Sequence, residues 1–114
     1  MYIIVRPGPP TNLTATNVTD ASVILTWLAP LEVGIPPLSL YRITIQSSIS
    51  PDIVMDTDTV KNSVNVNGQL LSGTQYNATV IGVSTDGDNF DMLLGERSDA
   101  VFFITKTGRK PHPL

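Results

Sequence analysis

The hydrophobic residues of this chain recur at every second position, in short runs that Gly, Pro, Asn, Asp or Ser then close. Only extended backbone puts alternate residues on one face, so the pattern excludes helices that bury a stripe and calls for sheets that bury a side. Val23–Trp27 is the clearest case: Val23, Leu25 and Trp27 share one face, Ile24 and Thr26 the other. Tyr41–Gln46 sets Tyr41, Ile43 and Ile45 against Arg42, Thr44 and Gln46. Tyr76–Val83 points Tyr76, Ala78 and Val80 inward and Asn77 and Thr79 outward. Weaker runs occur at Leu13–Val18, Ile53–Met55, Val64–Val66 and Ala100–Lys106. Val, Ile and Thr make up 34 of the 114 residues, as half-buried pleated surfaces favour. Seven short strands in so few residues fit two packed antiparallel sheets better than a closed barrel. The expected fold is an all-β sandwich.

A chain of 114 residues suits one domain, and folding removes roughly two-thirds of its unfolded surface from water, so neither disulfides nor metal are required. With no cysteine, thiolate nucleophiles and Cys-ligated zinc are excluded. The single histidine, His112, lies beside the C-terminus, which excludes a His-dependent active site within the body. A net charge of −3 provides no footprint for nucleic acid or anionic lipid. No apolar run approaches the ~20 residues a membrane helix needs, so direct membrane insertion is not expected. Proline-rich segments bracket the body. Residues 1–9 read as a linker or the end of a preceding domain, 10–107 as the domain, and 108–114 as a linker or tail. Tyr2–Arg6 echoes Phe102–Lys106, an aromatic residue followed by apolar or β-branched residues and then a base, so it is either the last strand of a similar preceding domain or an ordinary first strand.

Pro10-Thr11-Asn12-Leu13, followed by Ser22–Trp27 and then Pro30, resembles the first two strands of the fibronectin type III family, and Leu38–Ile45 resembles its third. The most specific stretch is Leu70-Leu71-Ser72-Gly73-Thr74-Gln75-Tyr76, which is similar to that family's tyrosine corner. Ser72 stands where the family usually has proline, Gln69 reads as an extra residue, and the last hairpin loop is long. The resemblance covers residues 10 to about 107. It implies a seven-stranded immunoglobulin-like sandwich with sheets A-B-E and C-C′-F-G. Trp27, Tyr41, Leu70 and Tyr76 would lie in its core, and the Tyr76 hydroxyl would reach back to an upstream backbone group. For Trp27 and Tyr76, in-facing positions on alternating strands favour core packing over a ligand platform.

Three N-glycosylation sequons are present: Asn12-Leu13-Thr14, Asn17-Val18-Thr19 and Asn77-Ala78-Thr79. Seven Asn with 22 Ser or Thr account for roughly one such motif by chance. Asn77, on the outward phase of its strand, can carry a glycan without unpacking the core. Sugars at all three would shield both outer faces and push protein partners toward loops and ends. The loop 85–96 is about twice the usual 2–5-residue hairpin length. It mixes Phe90, Met92, Leu93 and Leu94 with Asp86, Asp88, Asp91 and Glu96. Three readings stay open for it: apolar residues that fold back on Ile35 and Leu38 or extend the hairpin, an interdomain seam, or a partner-binding surface centred on Asp86, Asp88, Phe90, Met92, Leu93 and Leu94. Asp86–Asp91 lacks the ligand and glycine positions of an EF-hand loop, and no Arg-Gly-Asp or phosphate-loop motif occurs. Asp56 and Asp58 read as solvated charges that discourage edge pairing.

The expected molecule is therefore a non-enzymatic extracellular module without cofactor or metal. It is monomeric in isolation, binds protein partners or adjacent domains, and belongs to a larger cell-surface receptor or adhesion protein. Receptor-type tyrosine phosphatases and cell-adhesion molecules carry similar arrays. The alternatives are an accessory module of a secreted carbohydrate-active enzyme and an intracellular muscle-type array domain. A cytokine-receptor domain is disfavoured because Gly95-Glu96-Arg97-Ser98 does not match that subfamily's Trp-Ser-x-Trp-Ser signature.

Overall fold

Among the described residues the chain forms eight strands: β1 (Thr11–Thr16), β2 (Ser22–Leu28), β3 (Leu40–Gln46), β4 (Ile53–Asp56), β5 (Ser63–Asn67), β6 (Gln75–Thr85), β7 (Met92–Leu94) and β8 (Val101–Ile104). They are seen in a computed structural model that describes residues 4–57, 59–85 and 92–107. One antiparallel sheet has the order β1-β2-β5, and the other runs β4-β3-β6-β7, with β8 also paired to β6. This is the A-B-E and C′-C-F-G arrangement, with the last family strand broken into two pieces that share β6 as partner.

The in-facing residues of the two sheets meet as the alternation requires. Val23, Leu25 and Trp27 from β2 and Val66 from β5 pack against Tyr41, Ile43 and Ile45 of β3, Tyr76, Ala78 and Val80 of β6, and Phe103 of β8. All are buried. Between the layers the Trp27 and Tyr41 rings meet edge-on, with centroids 5.3 Å apart, and Tyr76 stacks on Phe103 at 5.6 Å.

Strand ends differ from the sequence reading for local reasons. β1 begins at Thr11 because Thr11 already pairs with Leu28, and it ends at Thr16 because Asn17 adopts φ 50°. Between Thr11 and Thr14 one extra residue bulges from β1, with Asn12 at φ 54°. Short polar Asn tolerates this left-handed backbone better than other non-glycine residues. The final strand, expected over Ala100–Lys106, is confined to Val101–Ile104, and β7 extends the β6 hairpin through Val83–Leu94, Ser84–Leu93 and Thr85–Met92 pairs.

Three buried hydroxyls complete the ladders where strands stop. Thr57, just past β4, accepts a hydrogen bond from the Tyr41 N–H at 3.0 Å. Ser98, in the gap between β7 and β8, accepts from the Val80 N–H at 3.0 Å. Thr105, just past β8, accepts from the Thr74 N–H at 2.9 Å and donates to the Leu71 carbonyl at 2.6 Å. Each satisfies a backbone group that burial would otherwise leave without a partner.

Candidate functional site

The tyrosine corner has the geometry the resemblance implied. Gly73, at φ 59°, makes the turn in which Ser72 replaces proline, and its N–H bonds the Lys106 carbonyl at 2.8 Å. The Tyr76 ring is buried while its hydroxyl accepts the Leu71 N–H at 2.8 Å. Leu70, Tyr41 and Trp27 are likewise buried. Trp27 Nε1 and Ser84 Oγ lie in the interior without a hydrogen-bond partner among the described residues.

A pair of charged side chains is joined across strands. Arg42 on β3 and Asp56 on β4 face each other in register and form a forked pair, Nε to Oδ1 at 2.8 Å and Nη2 to Oδ2 at 3.1 Å. The hydrogen bond from the guanidinium holds the Asp56 carboxyl below its ordinary range and raises Arg42. Asp56 lies partly exposed on edge strand β4, and the β3–β4 register adds an ion pair that the sequence did not show. Asp58 lies outside the described residues. Burial pushes the Tyr41 phenol up, opposed in part by the neighbouring Trp27 indole. Among the described residues no group of three metal-ligating side chains comes together.

The segment expected as a linker or the end of a preceding domain is tied to the body from Val5 to Gly8. Val5 and Ile35 exchange two 2.9 Å backbone hydrogen bonds, the Gly8 N–H bonds the Glu32 carbonyl at 2.8 Å, and the Glu96 N–H bonds the Pro7 carbonyl at 3.0 Å. Pro7 is fully buried, packed into a notch made by Gly82 and Gly95. This end of the sandwich therefore combines the N-terminal segment, the β2–β3 connection and the start of the split last strand. Leu38 of the β2–β3 connection is buried in the core, whereas Ile4, Leu28, Leu31, Val33, Ile35 and Leu94 are exposed, Leu31 completely.

Of the proposed partner-binding loop, Asp86, Asp88 and Phe90 lie outside the described residues. Met92, Leu93 and Leu94 form β7, where Leu93 is half-buried and Leu94 exposed. Asn12 and Asn17 are exposed at the two ends of β1's run, and Asn77 is half-buried on the outer face of β6. The clamp on Pro7 was missed from sequence. Its signal was Gly82, a glycine inside the alternating run of a central strand, which marks close backbone approach.

A family model of the fibronectin type III domain matches residues 8–92. The chain belongs to the fibronectin type III family. Solved structures agree on the fold. The fibronectin type III domain of human contactin 1 superposes with a TM-score of 0.74 at 16% identity, covering 99% of this chain and 91% of that one. A fibronectin type III domain of human collagen XX gives 0.68 at 21%, with 92% and 97% covered. The FN5 domain of Drosophila Lar gives 0.66 at 24%, with 90% and 99% covered. Comparison with curated proteins finds no match. Fibronectin type III modules are in general non-catalytic and mediate protein–protein interactions. The buried tryptophan, the tyrosine corner and the two-sheet order of this chain fit the fold of that family.

Proposed function

We propose that this fibronectin type III module is an extracellular part of a larger cell-surface receptor or adhesion protein, where it spaces neighbouring domains and docks through the end that carries its N-terminal segment. The observation behind the docking role is the exposure of Leu28 at the end of β2 and of Leu31, Val33 and Ile35 on the connection that follows, which backbone hydrogen bonds hold in place. Solvated apolar side chains on an ordered connection mark a surface that gains from being covered. Pinning by Val5 and Gly8 makes the surface pre-organised, so covering it costs little ordering entropy. The three sequons support an extracellular setting.

Two measurements test this reading. Protease or membrane-impermeant biotin treatment of intact cells that express the full-length host should reach the module, and a module protected until the cells are lysed overturns the extracellular setting. Hydrogen exchange on the full-length host should show residues 28–35 more protected than in the isolated chain. Equal exchange overturns the docking role of this end.

A further inference from the structure

Two of the three sequon asparagines have a backbone reason to be asparagine, and the third has none. Asn12 and Asn17 sit at φ 54° and 50°, left-handed backbone in which Asn is the favoured non-glycine residue. Asn77 lies within β6, a strand paired on both sides, where Asn is disfavoured. Its cross-strand partners are Gln46 on β3 and Phe102 on β8. Directly opposed residues project to the same side of a sheet with Cβ atoms about 4.5–5.5 Å apart, so Gln46, Asn77 and Phe102 form a row across the outer face. Thr79, the third residue of the sequon, projects from that face two positions on. Phe102 is 62% exposed. Its neighbour Phe103 faces inward and stacks on Tyr76, so the core makes no use of the Phe102 ring.

We propose that Asn77 is an N-glycosylation site whose first N-acetylglucosamine lies on the exposed ring of Phe102. A pyranose carries its hydroxyls on the rim and C–H groups on its faces, and a flat aromatic ring one cross-strand step away matches such a face. Attachment uses a lipid-linked oligosaccharide diphosphate: a bond forms between Asn77 Nδ2 and the anomeric carbon, the carbon–oxygen bond to the diphosphate breaks, and the amide nitrogen gives up one proton. Covering Phe102 removes apolar surface from water only in the folded state, so the sugar stabilises the fold. Occurrence in the native protein rests on the extracellular reading above, whereas the coupling between Asn77 and Phe102 is a property of this fold.

The test uses the 114-residue chain carrying Asn12→Gly and Asn17→Gly, substitutions that suit left-handed backbone and leave one sequon. The chain is secreted from eukaryotic cells behind a foreign leader and trimmed enzymatically to the first N-acetylglucosamine, and bacterial material supplies the bare form. Mass spectrometry should find Asn77 occupied, and the trimmed form should melt higher by on the order of 3–6 °C. Phe102→Ala, which removes a ring the core does not use, should leave Asn77 occupied and abolish the difference. An unmodified Asn77 in folded, secreted chain overturns the proposal, and so does a difference that survives Phe102→Ala. The cell-surface experiment reads the location of the native protein separately, so a failure there is distinguishable from a failure of this coupling.

Discussion

Tyr76 shows how one side chain links sequence to fold. Its ring occupies an in-facing position of β6, and its hydroxyl accepts the Leu71 N–H at 2.8 Å, tying the turn before β6 to the strand itself. Tyr76→Phe keeps the packing and leaves that amide without its partner, so it should cost about 1–2 kcal/mol. A lower urea midpoint with unchanged slope, together with faster exchange of the Leu71 amide, checks this. The role of Tyr76 was legible because spacing and phase both point to it. Thr105 was not legible: its hydroxyl bonds Thr74 and Leu71, more than thirty positions back, and nothing local distinguishes it from the solvent-facing threonines of β1. The same holds for Asn12 and Asn17, where the sequon is visible in the letters but the left-handed backbone is not.

At the scale of elements, register decides what charge and backbone do. Arg42 and Asp56 meet because β3 and β4 pair with Ile43 opposite Met55. Since the folded Asp56 carboxyl titrates below its unfolded value, the pair's contribution is complete above about pH 4 and is lost as pH falls through the lower, folded value. The pair is partly exposed, so Asp56→Asn should cost at most about 1 kcal/mol at pH 7. The difference from the parent chain should shrink as pH falls below the ordinary carboxylate range, as read from urea midpoints at successive pH values. The split of the last strand is also a matter of register. Both β7 and β8 use β6, and Ser98 bonds Val80 across the gap between them. The loop 85–96 looked simply long because Met92–Leu94 alone is too short a run to carry a period-two signal.

For the whole molecule, the notable contact joins the first residues to the middle and the end of the chain. A Cβ placed on Gly95 would stand 2.7 Å from the Pro7 carbonyl oxygen and 2.9 Å from that of Gly82, both backbone atoms that cannot rotate away. Gly95→Ala should therefore lift residues 5–8 off the body, raising exchange of the Val5, Gly8 and Glu96 amides by tenfold or more, while the Tyr76 and Ile43 amides keep their protection. Equal exchange in parent and variant would show that the clamp does not depend on this notch. The period-two alternation, the in-facing aromatics and the corner spacing by themselves determined an all-β sandwich with Trp27 and Tyr76 inside, because burial of alternate residues depends only on local backbone and phase. The partner of Asp56, the clamp on Pro7, the divided last strand and the placement of Asn77 beside Phe102 were decided by tertiary structure alone. Each joins residues through strand pairing or loop closure, and a local pattern does not carry the register of a distant strand.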